Sequence, residues 1–357
     1  MSESRILEVR KYLRRYRLSH ILVSDAVHAR YISGFDSSNV YLLISARKNI
    51  LFTDFRYRDI ATQFCRRNQN WHFVEIKQKG FTFLRPYIKP QSRVGVQSDL
   101  LTLDAYDAIR KQLKGVRLVK LHDALSFIPA VKLSHERVAM QKAAAIADRA
   151  FAALLPEIRI GMSEKEVARR LEELCRKYGS ERPSFDTIVL FGARSALPHG
   201  KPSHRRLRAG DWLLFDFGCT VKDYFSDMTR TVVKGEASKR QKYIYDIVAR
   251  AQRSAKKAIR PGVEACFIDG KARSIIEEAG YGDAFGHPTG HGVGRMIHEK
   301  PSINKNIRTV LSENMVFTIE PGIYINGFGG VRIEDMMVVT KNGARSLTKS
   351  PRELLEI

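Results

Sequence analysis

Four carboxylates and a histidine-bearing loop mark where chemistry is concentrated in this chain. The stretch FDFGCTVKDYFSDMTRT, residues 215–231, reads as two short strands and a turn, each strand carrying one aspartate, Asp216 and Asp227, in an apolar and aromatic pattern. In a second pair, NMVFTIEPGIYI and GGVRIEDMMVVT are strand-like runs around the glycine-rich turn NGFGG, which sets Glu320 and Glu334 on neighbouring strands. Four ionised carboxylates buried together are prohibitive unless protons or cations neutralise them, and two divalent metals balance four negative charges. Between the pairs lies GHPTGHGVGRMIHEKPS, residues 286–302, with His287, His291 and His298 on a backbone freed by glycines. One imidazole added to four carboxylates is the donor set of manganese, cobalt, iron or zinc in a two-metal hydrolase. Ions about 3.5 Å apart would share a water there and lower its pKa.

The segments that must position these residues occur twice. HERVAMQKAAAIADRAFAALL keeps an apolar stripe at helical spacing, and SEKEVARRLEELCRKYG opens on the capping box Ser163 to Glu166 and stops at Gly179. KRQKYIYDIVARAQRSAKKAI and FIDGKARSIIEEAGYG repeat the theme after the aspartate pair, and IRIG at 158–161 is echoed by IRPG at 259–262. An internal duplication would bring the two strand pairs into one sheet with helices packed outside, so that the four carboxylates converge. Residues 1–125 differ: a basic helix with Ile6, Val9 and Leu13 at helical spacing precedes HILVSD, VYLLIS, NILFTD, WHFVEIK and RVGVQS, apolar runs bounded by polar turns. DALSFIPAVKLSHE reads as a linker, so the expected organisation is an α/β domain over 1–125 and a second domain over 126–357.

Composition narrows the class. No apolar run approaches the roughly 18 residues of a membrane span, and MSESRILEVRKYLRRYRLSH has no apolar segment or small-residue cleavage site, which points to a cytoplasmic protein. Cys65, Cys175, Cys219 and Cys266 are scattered without metal or disulfide spacing. The net charge is +23; residues 1–125 contribute 23 Lys and Arg against 11 Asp and Glu. Such a balance attracts polyanions. The bases come singly and in pairs, however, so a nucleic-acid partner is kept in view without being favoured.

Taken together, DFG with Asp216, SDMTRT with Asp227, GHPTGHGVG with His291, IEPGIY with Glu320 and VRIED with Glu334 resemble the five-ligand signature of the pita-bread metallopeptidases. SALPHG with His199 and MIHEKP with His298 are similar to the proline-specific branch, the prolidases and aminopeptidase P. HARYISGF and LFTDFRYRD resemble the creatinase-like N-terminal domain of that branch. The resemblance implies a creatinase-like α/β domain followed by a pita-bread domain, α+β with a pseudo-twofold. It assigns Asp216 to one metal, His291 and Glu320 to the other, and Asp227 and Glu334 to both, with manganese expected before cobalt or zinc.

By the same resemblance a bridging hydroxide attacks the carbonyl before proline, His298 stabilises the oxyanion, Glu320 shuttles the proton, and His199 and Arg332 hold the proline side. Arg332 could instead support a ligand. Prolidases resembling this chain often place a basic residue directly after H-E-x-P; here Ser302 stands there and Arg308 is the nearest later base. That departure tilts the expectation to an Xaa-Pro aminopeptidase, with Xaa-Pro dipeptidase as the alternative. The expected partners are peptides with proline in second position and a second copy of the chain. A basic nucleic-acid or ribosome-associated binder on this fold is the reading of another class, opposed by the intact ligand set.

Overall fold

The spacing of Ile6, Val9 and Leu13 becomes helix α1, Ser2–Arg15, with all three side chains buried. In the computed structural model, which describes residues 2–357, the chain forms two compact units, Met1–Pro129 and Ala130–Ile357.

After α1 the first unit runs through β1 (His20–Val23), α2 (Ala26–Ser33), β2 (Val40–Ser45), β3 (Asn49–Thr53), α3 (Arg58–Arg67), β4 (His72–Glu75), β5 (Arg93–Val96), α4 (Leu103–Gln112) and β6 (Arg117–Lys120). The strands form one sheet in the order β4-β3-β2-β1-β5-β6. Only β2 runs antiparallel to its neighbours. Each face of the sheet has its own apolar layer. Val9, Ile21, Leu42 and Leu51 lie on the α1 side, whereas Leu22, Leu43, Phe52 and Val94 pack against Leu84 and Ile109 on the other.

The second unit opens with α5 (Ser134–Leu154), α6 (Glu164–Lys177), β7 (Ile188–Phe191), β8 (Trp212–Phe217), β9 (Thr220–Val221), β10 (Tyr224–Phe225) and β11 (Met228–Val233). It continues with α7 (Lys239–Ala258), α8 (Ala265–Glu278), β12 (Gly290–Gly292), β13 (Glu299–Ile303), β14 (Val316–Ile319), β15 (Gly322–Ile325), β16 (Gly329–Arg332), β17 (Asp335–Thr340) and β18 (Gly343–Ser346). The capping box forms at α6: the Glu166 amide donates to Ser163 Oγ at 3.2 Å and the Ser163 amide donates back to the Glu166 carboxylate at 2.7 Å. Helices α5 and α6 press Ala147, Phe151 and Leu171 onto Phe215 and Phe217 of β8, with Phe151 edge-on to Phe215 at 5.5 Å.

The IRIG and IRPG echo is structural. Gly161 and Gly262 both take left-handed φ, +89° and +87°, a conformation open to glycine without a Cβ penalty. Their amides donate to Leu207 O and Leu311 O, each at 2.9 Å, and the Leu207 and Leu311 amides donate back to Met162 O and Val263 O, each at 2.8 Å.

The expectation of one sheet is corrected. The ladders are a three-stranded sheet, β11-β8-β7, and a five-stranded sheet, β13-β12-β14-β17-β18, with β15 and β16 paired separately. Single bonds tie the halves, among them the Glu334 amide to Thr229 O at 3.1 Å. The second hairpin is also broken midway. β14 pairs with β17 and β15 with β16, leaving Glu320 and Glu334 in the interruption, where a side chain is released from the pleat. Among the described residues no helix is long and apolar enough to cross a membrane.

Candidate metal centre

The five residues singled out as ligands converge in the second unit. Asp216 lies near the end of β8, Asp227 directly before β11, His291 in the middle of β12, Glu320 directly after β14 and Glu334 directly before β17. Ligand atoms of Asp227, His291 and Glu334 all lie within 4.8 Å of one another. His291 Nε2 stands 3.2 Å from Glu320 Oε1 and 3.6 Å from Asp227 Oδ2. The backbone comes equally close: a Cβ on Gly290 would sit 1.9 Å from Thr318 O, so β12 can approach β14 only with glycine beside His291.

Two hydroxyls orient the glutamates in matching fashion. Thr229 Oγ1 donates to Glu334 Oε2 at 2.7 Å and accepts from Arg332 Nε at 2.9 Å. Thr318 Oγ1 donates to Glu320 Oε1 at 2.9 Å and accepts from the His291 amide at 3.0 Å. Arg332 also donates to Asp216 Oδ2 at 2.5 Å and to the Tyr324 hydroxyl at 2.8 Å, so its guanidinium is occupied by the site itself.

Burial and mutual repulsion push the carboxyls of Asp227 and Glu334 well above the usual range. Burial also raises Asp216, despite Arg332 beside it. Glu320 goes the other way: burial would raise it, but the hydrogen bond and charge of His291 bring it to about 2. His291 answers at about 9, with Glu320 and Asp227 overcoming the depression by burial. Asp216 Oδ1 and Glu334 Oε1 are buried with no hydrogen-bond partner. Because a buried carboxylate oxygen without a donor is costly, these atoms, this charge excess and this oxygen-rich donor set fit divalent cations.

The remaining candidate residues sit on loops pinned by buried carboxylates. Glu164 accepts from the Phe191 and Ser203 amides at 2.9 and 2.8 Å, bracketing the segment that exposes His199. Asp269 accepts from Thr289 Oγ1 at 2.8 Å and from Arg273, which in turn donates to His287 O at 3.0 Å. Glu299 accepts from the Arg295 and Met296 amides at 2.8 and 3.0 Å and from Lys132 Nζ at 2.8 Å, fixing the turn before His298. His298 stacks edge-on to His291 with ring centroids 4.3 Å apart, and His287 Nε2 meets the Tyr324 hydroxyl at 2.8 Å.

Arg308 is not brought to the cluster. It is exposed, and its charge is felt by the Cys266 thiol at the start of α8. Phe328 packs on Trp212 and under Arg240 rather than on a ligand. Sequence reasoning missed Thr229, Thr318 and the three pinning carboxylates. Thr229 stands inside the quoted SDMTRT, but its partners are about a hundred positions away in the chain.

Residues 138–341 match the model of metallopeptidase family M24, and residues 5–128 match that of the creatinase/prolidase N-terminal domain. The chain is 37% identical over 354 residues to the Xaa-Pro dipeptidase of Pyrococcus furiosus, covering 99% of this chain and 100% of that one. Among solved structures it is similar to an Xaa-Pro dipeptidase from Bacillus anthracis, with TM-score 0.93, 36% identity and full coverage of both chains. It is also similar to an X-Pro aminopeptidase from Thermotoga maritima, with TM-score 0.84, 35% identity and coverage of 95% and 98%. The chain belongs to metallopeptidase family M24 and carries a creatinase-like domain before its pita-bread domain.

Proposed function

We propose that this M24 metallopeptidase is an Xaa-Pro dipeptidase, cleaving the bond between a first residue and a carboxy-terminal proline. Two divalent cations, manganese foremost, would be held by Asp216, Asp227, His291, Glu320 and Glu334. The observation that carries this reading is the pair of buried oxygens without partners, Asp216 Oδ1 and Glu334 Oε1, within a cluster of four carboxylates and one imidazole. The tilt towards an aminopeptidase, drawn from Ser302, gives way to kinship with proteins named Xaa-Pro dipeptidase over nearly their whole length.

Bound cations supply Lewis acidity and lower the pKa of water at the site. Glu320, the one carboxyl of the four candidate ligands that is lowered and so ionised rather than raised, takes the proton of the attacking water at its carboxylate and passes it to the proline nitrogen. Without that proton the nitrogen would have to leave as an amide anion, so departure of the amine depends on this delivery. His298, beside His291, faces the developing oxyanion. Arg332 is engaged by Asp216, Tyr324 and Thr229, so recognition of the proline carboxylate falls to His199. We infer a homodimer, which light scattering would test.

The test is hydrolysis of Ala-Pro and Ala-Pro-Ala by protein stripped of metal and reloaded with manganese, cobalt or zinc. Preference for the dipeptide is the expected result. Preference for the tripeptide would establish the aminopeptidase, and cleavage of neither with any metal would remove the proline-peptidase reading altogether.

A further inference from the structure

The first unit segregates its charge along the strand axis. Five strands, β1, β3, β4, β5 and β6, run in one direction. Each begins at or shortly after a base: Arg17, Lys48, Arg67, Arg93 and Arg117 respectively. Each ends at or shortly before an acid: Asp25, Asp54, Glu75, Asp99 and Asp123. Register confirms that the bases share one end, with His20 opposite Ser45 and Val94, Ile50 opposite His72, and Arg93 opposite Arg117.

The acids at the far end have cations of their own, Arg56 on Asp54 and Arg58 on Glu75. At the near end, among the described residues, none of the five strand-leading bases makes an ion pair with a carboxylate. All but the half-buried Arg93 are exposed. Arg47 in the β2–β3 turn and Arg66 at the end of α3 add further exposed charge to the same rim.

We infer that this rim is a binding surface for the phosphate backbone of nucleic acid, used without sequence preference. Six strands about 4.8 Å apart make a row of about 24 Å, the length of about seven base pairs at 3.4 Å each. Arginine predominates along it, and guanidinium forks pair with phosphate. An anionic membrane is the poorer match, because surface-bound proteins add apolar insertion to charge. Of the unit's exposed large apolar side chains among the described residues, Phe55, Ile60, Leu100 and Leu103 lie at the opposite, acidic end, which leaves Leu7 of α1 as a lone apolar side chain beside the bases, too little for insertion.

The experiment is fluorescence anisotropy of a labelled mixed-sequence 20-base-pair duplex, titrated with the full-length protein between 50 and 300 mM salt. Five engaged cations give a slope of log K against log salt of about −4.5. Lys48→Glu with Arg117→Glu weakens binding more than about 10-fold at 100 mM salt, the loss of two phosphate contacts. Lys77→Glu with Lys120→Glu, the same change of net charge at the acidic end, leaves it within about twofold. Both pairs keep the thermal midpoint; should the first fail to fold, Arg47→Glu with Arg67→Glu replaces it. Equal weakening by the two pairs overturns the proposal, since net charge alone would then explain binding. So does absence of binding at 50 mM salt, or tighter sedimentation with phosphatidylserine vesicles than binding to the duplex.

Discussion

Arg332 and Asp216 meet inside the second unit, Nη2 to Oδ2 at 2.5 Å, although 116 positions separate them in the chain. Asp216 comes from the first strand pair and Arg332 from the second, so one guanidinium ties the two halves together at the candidate metals. Arg332→Lys keeps the charge but not the fork that also reaches Thr229 and Tyr324. A fall in kcat of about 10- to 100-fold is expected on an Xaa-Pro dipeptide, the usual cost of losing a group that orients a ligand. Arg332→Met removes the charge as well, raises the Asp216 carboxyl further, and moves the acidic limb of the kcat/KM profile to higher pH.

The paired hydroxyls can be tested by isosteric change. Thr229→Val leaves Glu334 without its donor, and Thr318→Val does the same to Glu320. Each should weaken manganese binding by about 10-fold, read by calorimetry on stripped protein. A double variant no weaker than either single would show that the hydroxyls act as one unit rather than as two independent supports.

Removal of metal should give stability an unusual pH dependence. The Asp227 and Glu334 carboxyls are raised in the folded protein, so between the unfolded and folded pKa the native state holds the extra protons. Their contribution is present below about pH 4 and is lost as pH rises through the folded values. Stripped protein therefore loses melting temperature from pH 5 to pH 7.5 relative to loaded protein, and added manganese raises the midpoint more at pH 7.5. Scanning calorimetry with and without chelator measures the difference, and a metal effect independent of pH would contradict it.

Behind Glu334, the buried carboxylate of Asp335 is held by Arg230 at 2.8 Å, by Lys256 and by Arg352 at 2.5 Å, with Thr348 and Gln252 completing the set. Burial alone would raise this carboxyl; the surrounding cations hold it well below the usual range. Asp335→Asn leaves buried positive charge uncompensated and should cost about 3–5 kcal/mol of stability. Chemical denaturation would show it as a lower midpoint with an unchanged slope.

Sequence made the clustered candidates legible because each sits in a short word of its own, SDMTRT or IEPGIY, that needs no distant partner to be noticed. The repeat was legible for the same reason, since Gly161 and Gly262 close identical local turns. What escaped were relationships across the chain: Thr229 with Glu334, Asp269 with Thr289, Lys132 with Glu299. Strand β6 was missed because RLVK is a half-exposed edge strand with charged ends and little apolar pattern. The break in the second hairpin was hidden too, because alternation continues through Glu320 and Glu334 while the pairing partner changes. The polarity of the first unit stays invisible until strand directions are known, which is why its bases read as scattered.

The spread of the candidate ligands along the chain, two in the first strand pair and three after it, also sets an order in biosynthesis. Asp216 and Asp227 leave the ribosome well before His291, Glu320 and Glu334, and the emerging first half offers a cation only two carboxylates in a solvated, unassembled hairpin. Thr229, which aims Glu334, then has nothing to aim, and Asp216 lacks its arginine. The full set of candidate ligands therefore exists only once the second half has closed, and a nascent chain halted before β17 offers a cation no more than a pair of solvated aspartates does.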